Sequence, residues 1–508
     1  MIDIQCVSEV DAKNGGRLII FALPKSGVYR DRVLEEIEDL FGMSASTILK
    51  RESFSSSLGE RLVLSRYQKN DIHKIGLIGL GSLENVLADT YRKFGAYAIR
   101  LAREQHAKEI VLALPSIESS LDEQLIYQAF AEGAYLASYR FMDHRGAKTA
   151  KASARNTDPE TLFVIEADTA KRRKMQKAFA HAFYVCEGVC LARDLVNRSP
   201  RHMLPQDLMR EAKALVKKGN GITCKVFDEK EMKRMGMGAA LAVGEGSVHS
   251  PVCVHLTYRP ARKKKKKIAV IGKGVTFDSG GLSLKPADGM VNMKIDMGGA
   301  ASVIGLFRAL SKLDLPVEVH GVFIAVENMP SGTSYRPGDV VTAMNGTTIE
   351  ILNTDAEGRV TLADALNYTV AKIKPDEMID LATLTGAVIT ALGDDYTGFM
   401  ANDRSMAKSI VTSAKRAGEL FWELPLVPQY DEALKSKVAD INNLGGRPAG
   451  AIKAGLFLKH FVSDIPWSHW DIAGPVFCEK ESRPDLPYGG TGVGIRTLVR
   501  YLEGVVGK

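Results

Sequence analysis

The chain has 508 residues, 45% of them hydrophobic and 25% charged, with a formal net charge of +7. That length predicts two to four domains, and that balance is enough to bury a large core. No apolar run approaches the roughly 20 residues of a membrane span, and Met1-Ile2-Asp3-Ile4-Gln5 lacks the basic and apolar regions of a signal peptide. Six cysteines (Cys6, Cys186, Cys190, Cys224, Cys253 and Cys478) show no disulfide-framework spacing, so the cytosol is the expected compartment.

From the N-terminus, strand-like runs at Arg17 to Leu23, Arg61 to Arg66, Ile75 to Leu80, Glu109 to Leu114 and Thr161 to Ile165 alternate with helical stretches. The clearest predicted helix is Asn85 to His106, with apolar residues at spacings of three and four. This is the pattern of an α/β domain. Gly76-Leu77-Ile78-Gly79-Leu80-Gly81 is no dinucleotide fingerprint, because its glycines are wrongly spaced and no turn into a helix follows. Lys148 to Glu160 reads as a loop. A long helix is then predicted from Ala170 to about Val196, with Met175, Phe179, Phe183, Cys186 and Cys190 on its apolar face, ended by Asn197-Arg198-Ser199-Pro200. Cys186 and Cys190, one turn apart, read as packed thiols rather than ligands.

Strand and helix then alternate again: Ile268 to Ile271, Ala300 to Leu313, Val317 to Val326, Val340 to Met344, Arg359 to Ile373 and Met378 to Leu384. Before the first of these stands Arg262-Lys263-Lys264-Lys265-Lys266-Lys267. Such a run can bind nucleic acid or an acidic surface. It reads more simply as a solvated hairpin tip, and no aromatic residue interleaves it as single-strand binding would need.

Two clusters carry chemistry. Asn353-Thr354-Asp355-Ala356-Glu357-Gly358-Arg359 follows the strand-like Thr348 to Leu352. On an extended chain, alternate residues share a face, so Asp355 and Glu357 are expected to aim at one point. Two carboxylates brought together repel and desolvate each other unless a positive charge lies between them, and a metal ion is the usual one. Upstream, Lys273, Asp278, Lys285 and Asp296 are expected at or near the carboxyl end of the Ile268 to Ile271 strand, where open α/β sheets place their ligands. The ten histidines include no His-Glu-x-x-His. Mainly carboxylate ligands suit Mn²⁺ or Mg²⁺ and accept Zn²⁺, and four of them suffice for two ions.

With Asn353 to Arg359, and with Glu327-Asn328-Met329-Pro330-Ser331-Gly332, Arg336-Pro337-Gly338-Asp339 and Ala382-Thr383-Leu384-Thr385-Gly386, the chain resembles the leucyl (cytosol) aminopeptidases, a family of dinuclear metallopeptidases. The resemblance runs from about Asp194 to the C-terminus. It implies two α/β domains, residues 1–170 and 198–508, joined by a helix at 171–197. The second would be catalytic, with a mixed central sheet flanked by helices. It implies that Asp278 and Glu357 bridge two divalent metal ions (Mn²⁺ or Zn²⁺). Asp355 would complete one site, and Lys273 with Asp296 the other. Lys285 would stabilise the oxyanion, and Arg359 would hold a bicarbonate as general base, the alternative being a plain ion pair. Met293, Thr383, Leu384 and Gly386 would line the pocket for the first side chain, with Ala449 to Gly455 as another wall. Lys273, Asp278, Lys285, Asp296 and Asp355 would also touch the substrate. The family implies peptide substrates, no membrane, and a homohexamer of two stacked trimers. Two rival readings are a phosphoester hydrolase on the same carboxylates and nucleic-acid binding through the basic run.

Overall fold

The early apolar runs pair into a six-stranded sheet in the order Asp3–Val7, Thr161–Ile165, Glu109–Ala113, Arg17–Pro24, Asp71–Gly81, Arg61–Gln68. All neighbours are parallel except the last two. The computed structural model describes every residue except 11–16, 69–70, 83–86, 116–121, 150–157, 262–263, 265 and 508. Much of the predicted loop at 148–160 therefore lies outside the described residues. The predicted helix near 85–106 is Ala88–Glu104, and buried Arg92 on it ion-pairs with Glu132 of the helix Glu123–Ser138 at 2.7 Å. The chain divides into two units, Met1–Cys186 with Lys480–Pro487, and Glu187–Glu479 with Tyr488–Lys508. The long helix Thr169–Asn197 begins in the first and ends in the second.

The second unit is built on an eight-stranded mixed sheet. Its order is Leu420–Glu423, Tyr396–Ala401, Trp467–Asp471, Glu377–Ala382, Lys267–Asp278, Glu318–Asn328, Val252–Tyr258, Ile222–Phe227. Val252–Tyr258 and Lys267–Asp278 are consecutive in sequence, yet Glu318–Asn328 lies between them and pairs with both. The two strands flanking the basic run therefore do not form the expected hairpin, and Arg262, Lys263 and Lys265 of the run lie outside the described residues. Of its described residues, Lys264 ion-pairs with Glu318 and Lys266 with Glu377, while the Lys267 amide donates to Asp376 at 2.8 Å.

The central strand, Lys267–Asp278, is far longer than the apolar run that signalled it and is buried along nearly its whole length. Helices cover both its faces. An added Cβ at Gly272 would lie 2.5 Å from the backbone of Gly299, in the helix Gly298–Leu310. One at Gly358, in the helix Glu357–Tyr368, would lie 2.6 Å from the Lys273 ammonium. Successive residues of one strand thus face opposite helices. The partner strand Glu377–Ala382 pairs with it only as far as Leu381 opposite Gly272. Lys273 lies mid-strand rather than at a strand end, but just past the last residue paired on that side.

A bulge interrupts the other side. Val326 pairs with Val275 but Glu327 pairs with Phe277, leaving Thr276 as the extra residue, its hydroxyl donating to the Val326 carbonyl at 3.1 Å. In an unbroken strand, positions 273 and 278 have opposite parity and face opposite ways. The inserted residue resets that parity and lets Lys273 and Asp278 serve one site.

Candidate active site

Four segments deliver the predicted polar residues. Asp278 ends the central strand, and Lys285 follows it in a loop that turns through Gly280 at φ 86°, a conformation that favours glycine. Asp296 lies in the 3₁₀ turn Met293–Met297. Asp355 sits in a turn and Glu357 is the first residue of the helix Glu357–Tyr368. The extended alternation expected for Asp355 and Glu357 is therefore incorrect. They converge because a turn hands the chain directly to a helix N-terminus.

Thr354 fastens the two loops together. Its hydroxyl donates to the Gly280 carbonyl at 2.6 Å and accepts from the Ser283 amide at 2.8 Å, while its own amide donates to the Ser283 hydroxyl at 3.1 Å. Asn443 holds the approach, accepting from Leu352 N at 2.8 Å and donating to the Asn353 carbonyl at 2.7 Å.

At the centre, the Lys273 ammonium is 2.7 Å from both Asp296 and Glu357 and donates to the Thr383 carbonyl at 2.9 Å. Lys285 is 2.9 Å from Asp278 Oδ2 and also ion-pairs with Asp355. Asp278, Asp355 and Glu357 each offer an oxygen within 4.8 Å of the others. Burial, with Glu357 nearby, pushes Asp278 above the ordinary carboxylate range despite Lys285 and Lys273. Burial likewise raises Asp355 and, despite Lys273, lifts Asp296 well above that range. Burial opposes the charge on Lys273, but Asp296 and Glu357 outweigh it and raise its pKa.

The donor set fits divalent cations. Asp296 Oδ2 is buried with no hydrogen-bond partner. Glu357 Oε1 and Asp355 Oδ1, though close to the lysines, make no hydrogen bond of acceptable geometry either. Two of these oxygens face an ammonium group, which leaves Asp296 Oδ2 as the buried oxygen with nothing to offset its desolvation, and an all-oxygen set around an amine suits hard or borderline ions.

Arg359 is the third residue of the same helix and buried, with no hydrogen bond donated from Nε or Nη1. No carboxylate lies in ion-pair range of it among the described residues, so the plain ion pair is not formed. Burial lowers its pKa to about 10, with Glu357 and Asp471 opposing the fall.

Met293 lies three residues before Asp296 in the same 3₁₀ turn. The Thr383 hydroxyl donates to Asp296 Oδ1 at 2.7 Å. Leu384 N donates to Asp471 Oδ1 at 3.1 Å, and the Thr385 hydroxyl to Asp471 Oδ2 at 2.7 Å. Gly386 starts the helix Gly386–Leu392 and an added Cβ there would meet nothing within 4 Å. Ala449 precedes the helix Gly450–Lys459, where an added Cβ on Gly450 would lie 3.1 Å from Ala387. Sequence reasoning assigned no task to Thr354, Asn443 or Asp471. Their hydrogen bonds join residues distant in the chain, and no local pattern announces them.

Residues 190–499 match the catalytic domain of the cytosol aminopeptidase family, and residues 20–148 match its N-terminal domain. A probable cytosol aminopeptidase of Syntrophotalea carbinolica is 40% identical over 481 residues, covering 94% of this chain and 96% of its own. One from Thermosynechococcus vestitus is 42% identical over 456 residues, covering 90% and 89%. Among solved structures, a tomato leucine aminopeptidase mutant is similar with a TM-score of 0.86 at 34% identity, over 99% of this chain and 96% of that one. The bottromycin maturation enzyme BotP in complex with Mn is similar with a TM-score of 0.84 at 32% identity, over 97% and 100%. With its two-domain α/β architecture and carboxylate-rich centre, the chain belongs to the cytosol aminopeptidase family and is a metal-dependent aminopeptidase.

Proposed function

We propose that the chain releases N-terminal amino acids, preferably leucine and other apolar residues, by two-metal hydrolysis. The observation that carries this reading is the convergence of Asp278, Asp296, Asp355 and Glu357 around two lysine ammonium groups. Asp278 and Glu357 would each hold both ions, Asp355 would complete one position, and Lys273 with Asp296 the other. Ions bound there supply Lewis acidity toward the scissile carbonyl and an activated water. Lys273 can join them only as a neutral amine, so the proton now stabilised by Asp296 and Glu357 has to leave it.

The chain's own groups do the remaining work. Lys285 stands beside Asp278 and Asp355, where it can meet the negative charge that develops on the carbonyl oxygen. Arg359 presents a buried fork of unused donors, suited to a small planar anion, and bicarbonate is the anion we assign there as general base. Met293 and Leu384 give the first side chain a flexible apolar wall, Thr383 ties that wall to Asp296, and Gly386 leaves room. The Lys273 side is assigned to the free α-amine, which restricts cleavage to N-termini. The relative solved with Mn supports manganese, with zinc as the alternative. Among the described residues, no helix is long and apolar enough to cross a membrane. A cytoplasmic homohexamer acting on peptides completes the proposal.

The test is a chelation and reconstitution assay on leucine p-nitroanilide, with the N-acetylated compound as control. Chelation is expected to abolish turnover, Mn²⁺ or Zn²⁺ to restore it, and the acetylated compound to remain intact. Full activity in protein free of metal by elemental analysis would overturn the reading.

A further inference from the structure

Asn328 is the last residue of the strand Glu318–Asn328 and pairs in register with Asp278. It is fully buried. Its amide nitrogen donates to Asp278 Oδ1 at 2.8 Å and to the Thr354 carbonyl at 2.9 Å. Because one atom serves two acceptors, it must be the nitrogen, and the amide orientation is fixed by chemistry. The backbone carbonyl of Asn328 also accepts from the amide of Ser279 at 3.0 Å and from its hydroxyl at 2.7 Å. One residue thus grips both the strand end carrying Asp278 and the turn carrying Asp355. Two further tethers exist: Gly280 N reaches Asp278 Oδ1 at 2.9 Å, and the Tyr335 hydroxyl reaches the Thr354 carbonyl at 2.8 Å. Among the described residues, Lys285 also spans Asp278 and Asp355, but as a cation; of the three neutral tethers, the Asn328 side chain is the one that touches both segments.

We propose that Asn328 is a positioning residue that sets the rotamer of Asp278 and its distance from Asp355, and so tunes metal affinity. The proposal rests on the two-metal reading above. A carboxylate that would serve two ions has to present its oxygens in one orientation, so its torsion has little tolerance. A neutral donor on Oδ1 fixes that torsion without competing as a cation for the site. Partners of this kind, one bond behind a ligand, typically change metal affinity by about 10–100-fold when removed.

The experiment is calorimetric titration of chelator-stripped full-length protein with Mn²⁺, comparing wild type, Asn328→Ala, Asn328→Asp and Tyr335→Phe, each checked for a cooperative melt. Asn328→Ala is expected to weaken Mn²⁺ binding about 10–100-fold. Asn328→Asp keeps the shape but sets a third acceptor against Asp278 and Thr354, and is expected to weaken binding at least as much. It keeps the test open should the alanine variant not fold. Tyr335→Phe frees only the Thr354 carbonyl and is expected to leave affinity within about threefold. With Mn²⁺ saturating, the Asn328 variants should recover kcat with KM little changed, which a generally loosened site would not do. Unchanged affinity in both Asn328 variants, or an equal loss in Tyr335→Phe, overturns the inference. A wild type that takes up no Mn²⁺ removes the two-metal reading, and this inference with it.

Discussion

At the residue scale, the site's charges are sharply differentiated by what surrounds them. Glu357 is proposed to serve both ions, so Glu357→Ala should reduce turnover more than Asp296→Ala, measured on leucine p-nitroanilide with metal saturating. Near-normal turnover in Glu357→Ala would remove it as a shared ligand. The two basic groups beside the carboxylates separate by mechanism. Lys285 is proposed to act on charge present only in the transition state, so Lys285→Ala should lower kcat by about 10²–10³ with KM little moved. Arg359 holds no protein partner through Nε or Nη1, so added bicarbonate should stimulate the wild type and not Arg359→Ala. A bicarbonate titration at fixed pH and ionic strength decides this, and equal stimulation would take the anion away from Arg359. These residues were legible because each belongs to a short motif whose charges need explaining. Asn328 was also in plain view, inside Glu327-Asn328-Met329, but its partner Asp278 is fifty positions away, and only strand register brings them together.

At the element scale, the helices and main strands were legible from periodicity, and the joints between them were not. The long helix falls at Thr169–Asn197, near its expected span. The central strand was seen only where its side chains are uniformly apolar, because glycines and Lys273 mask its second half. Its bulge at Thr276 has no sequence signature, since threonine is an ordinary strand residue. The segment Thr383 to Gly386 is another joint, held to Asp296 at one end and to Asp471 at the other. Thr385 also caps the following helix, accepting from Val388 N at 3.1 Å. Thr385→Val keeps the shape and removes both bonds. It should cost about 1 kcal/mol in stability, as cap losses do, and should blunt discrimination between leucine and alanine p-nitroanilides by several-fold. A selectivity ratio identical to wild type would show that the wall does not depend on that clamp.

At the scale of the whole molecule, the basic run tests how far surface charge reaches. Lys264 and Lys266 pair with Glu318 and Glu377 near the start of the central strands, while the site gathers around their second half, from Lys273 onward. Exposed lysine charges are screened beyond about 10 Å at 0.1 M salt, whereas the carboxylates they pair with are largely buried and depend on a partner. Replacing Lys264 and Lys266 by glutamine should therefore leave peptidase kinetics unchanged while lowering stability, because Glu318 and Glu377 lose a charged partner. A large loss of kcat in the folded variant would show that this edge communicates with the site.

The two ammonium groups among the carboxylates have one more consequence. A chain whose acidic cluster depended on ions for neutrality could not close until they arrived, as in small metal-nucleated domains. Here Lys273 and Lys285 provide resident countercharge, so assembly of the fold is expected not to wait on loading of the site. On the proposed ligand set, loading would be an exchange of cations, with Lys273 giving up its proton to serve as a ligand. Stripped protein should keep its near-ultraviolet dichroism and a single cooperative melt. Readdition of metal should raise stability only by the linkage expected of a ligand, about 2.7 kcal/mol at a hundredfold excess over Kd. Titrations in buffers of different ionisation enthalpy should report the protons released. A stripped chain without a cooperative melt would mean that the lysines cannot stand in for the ions.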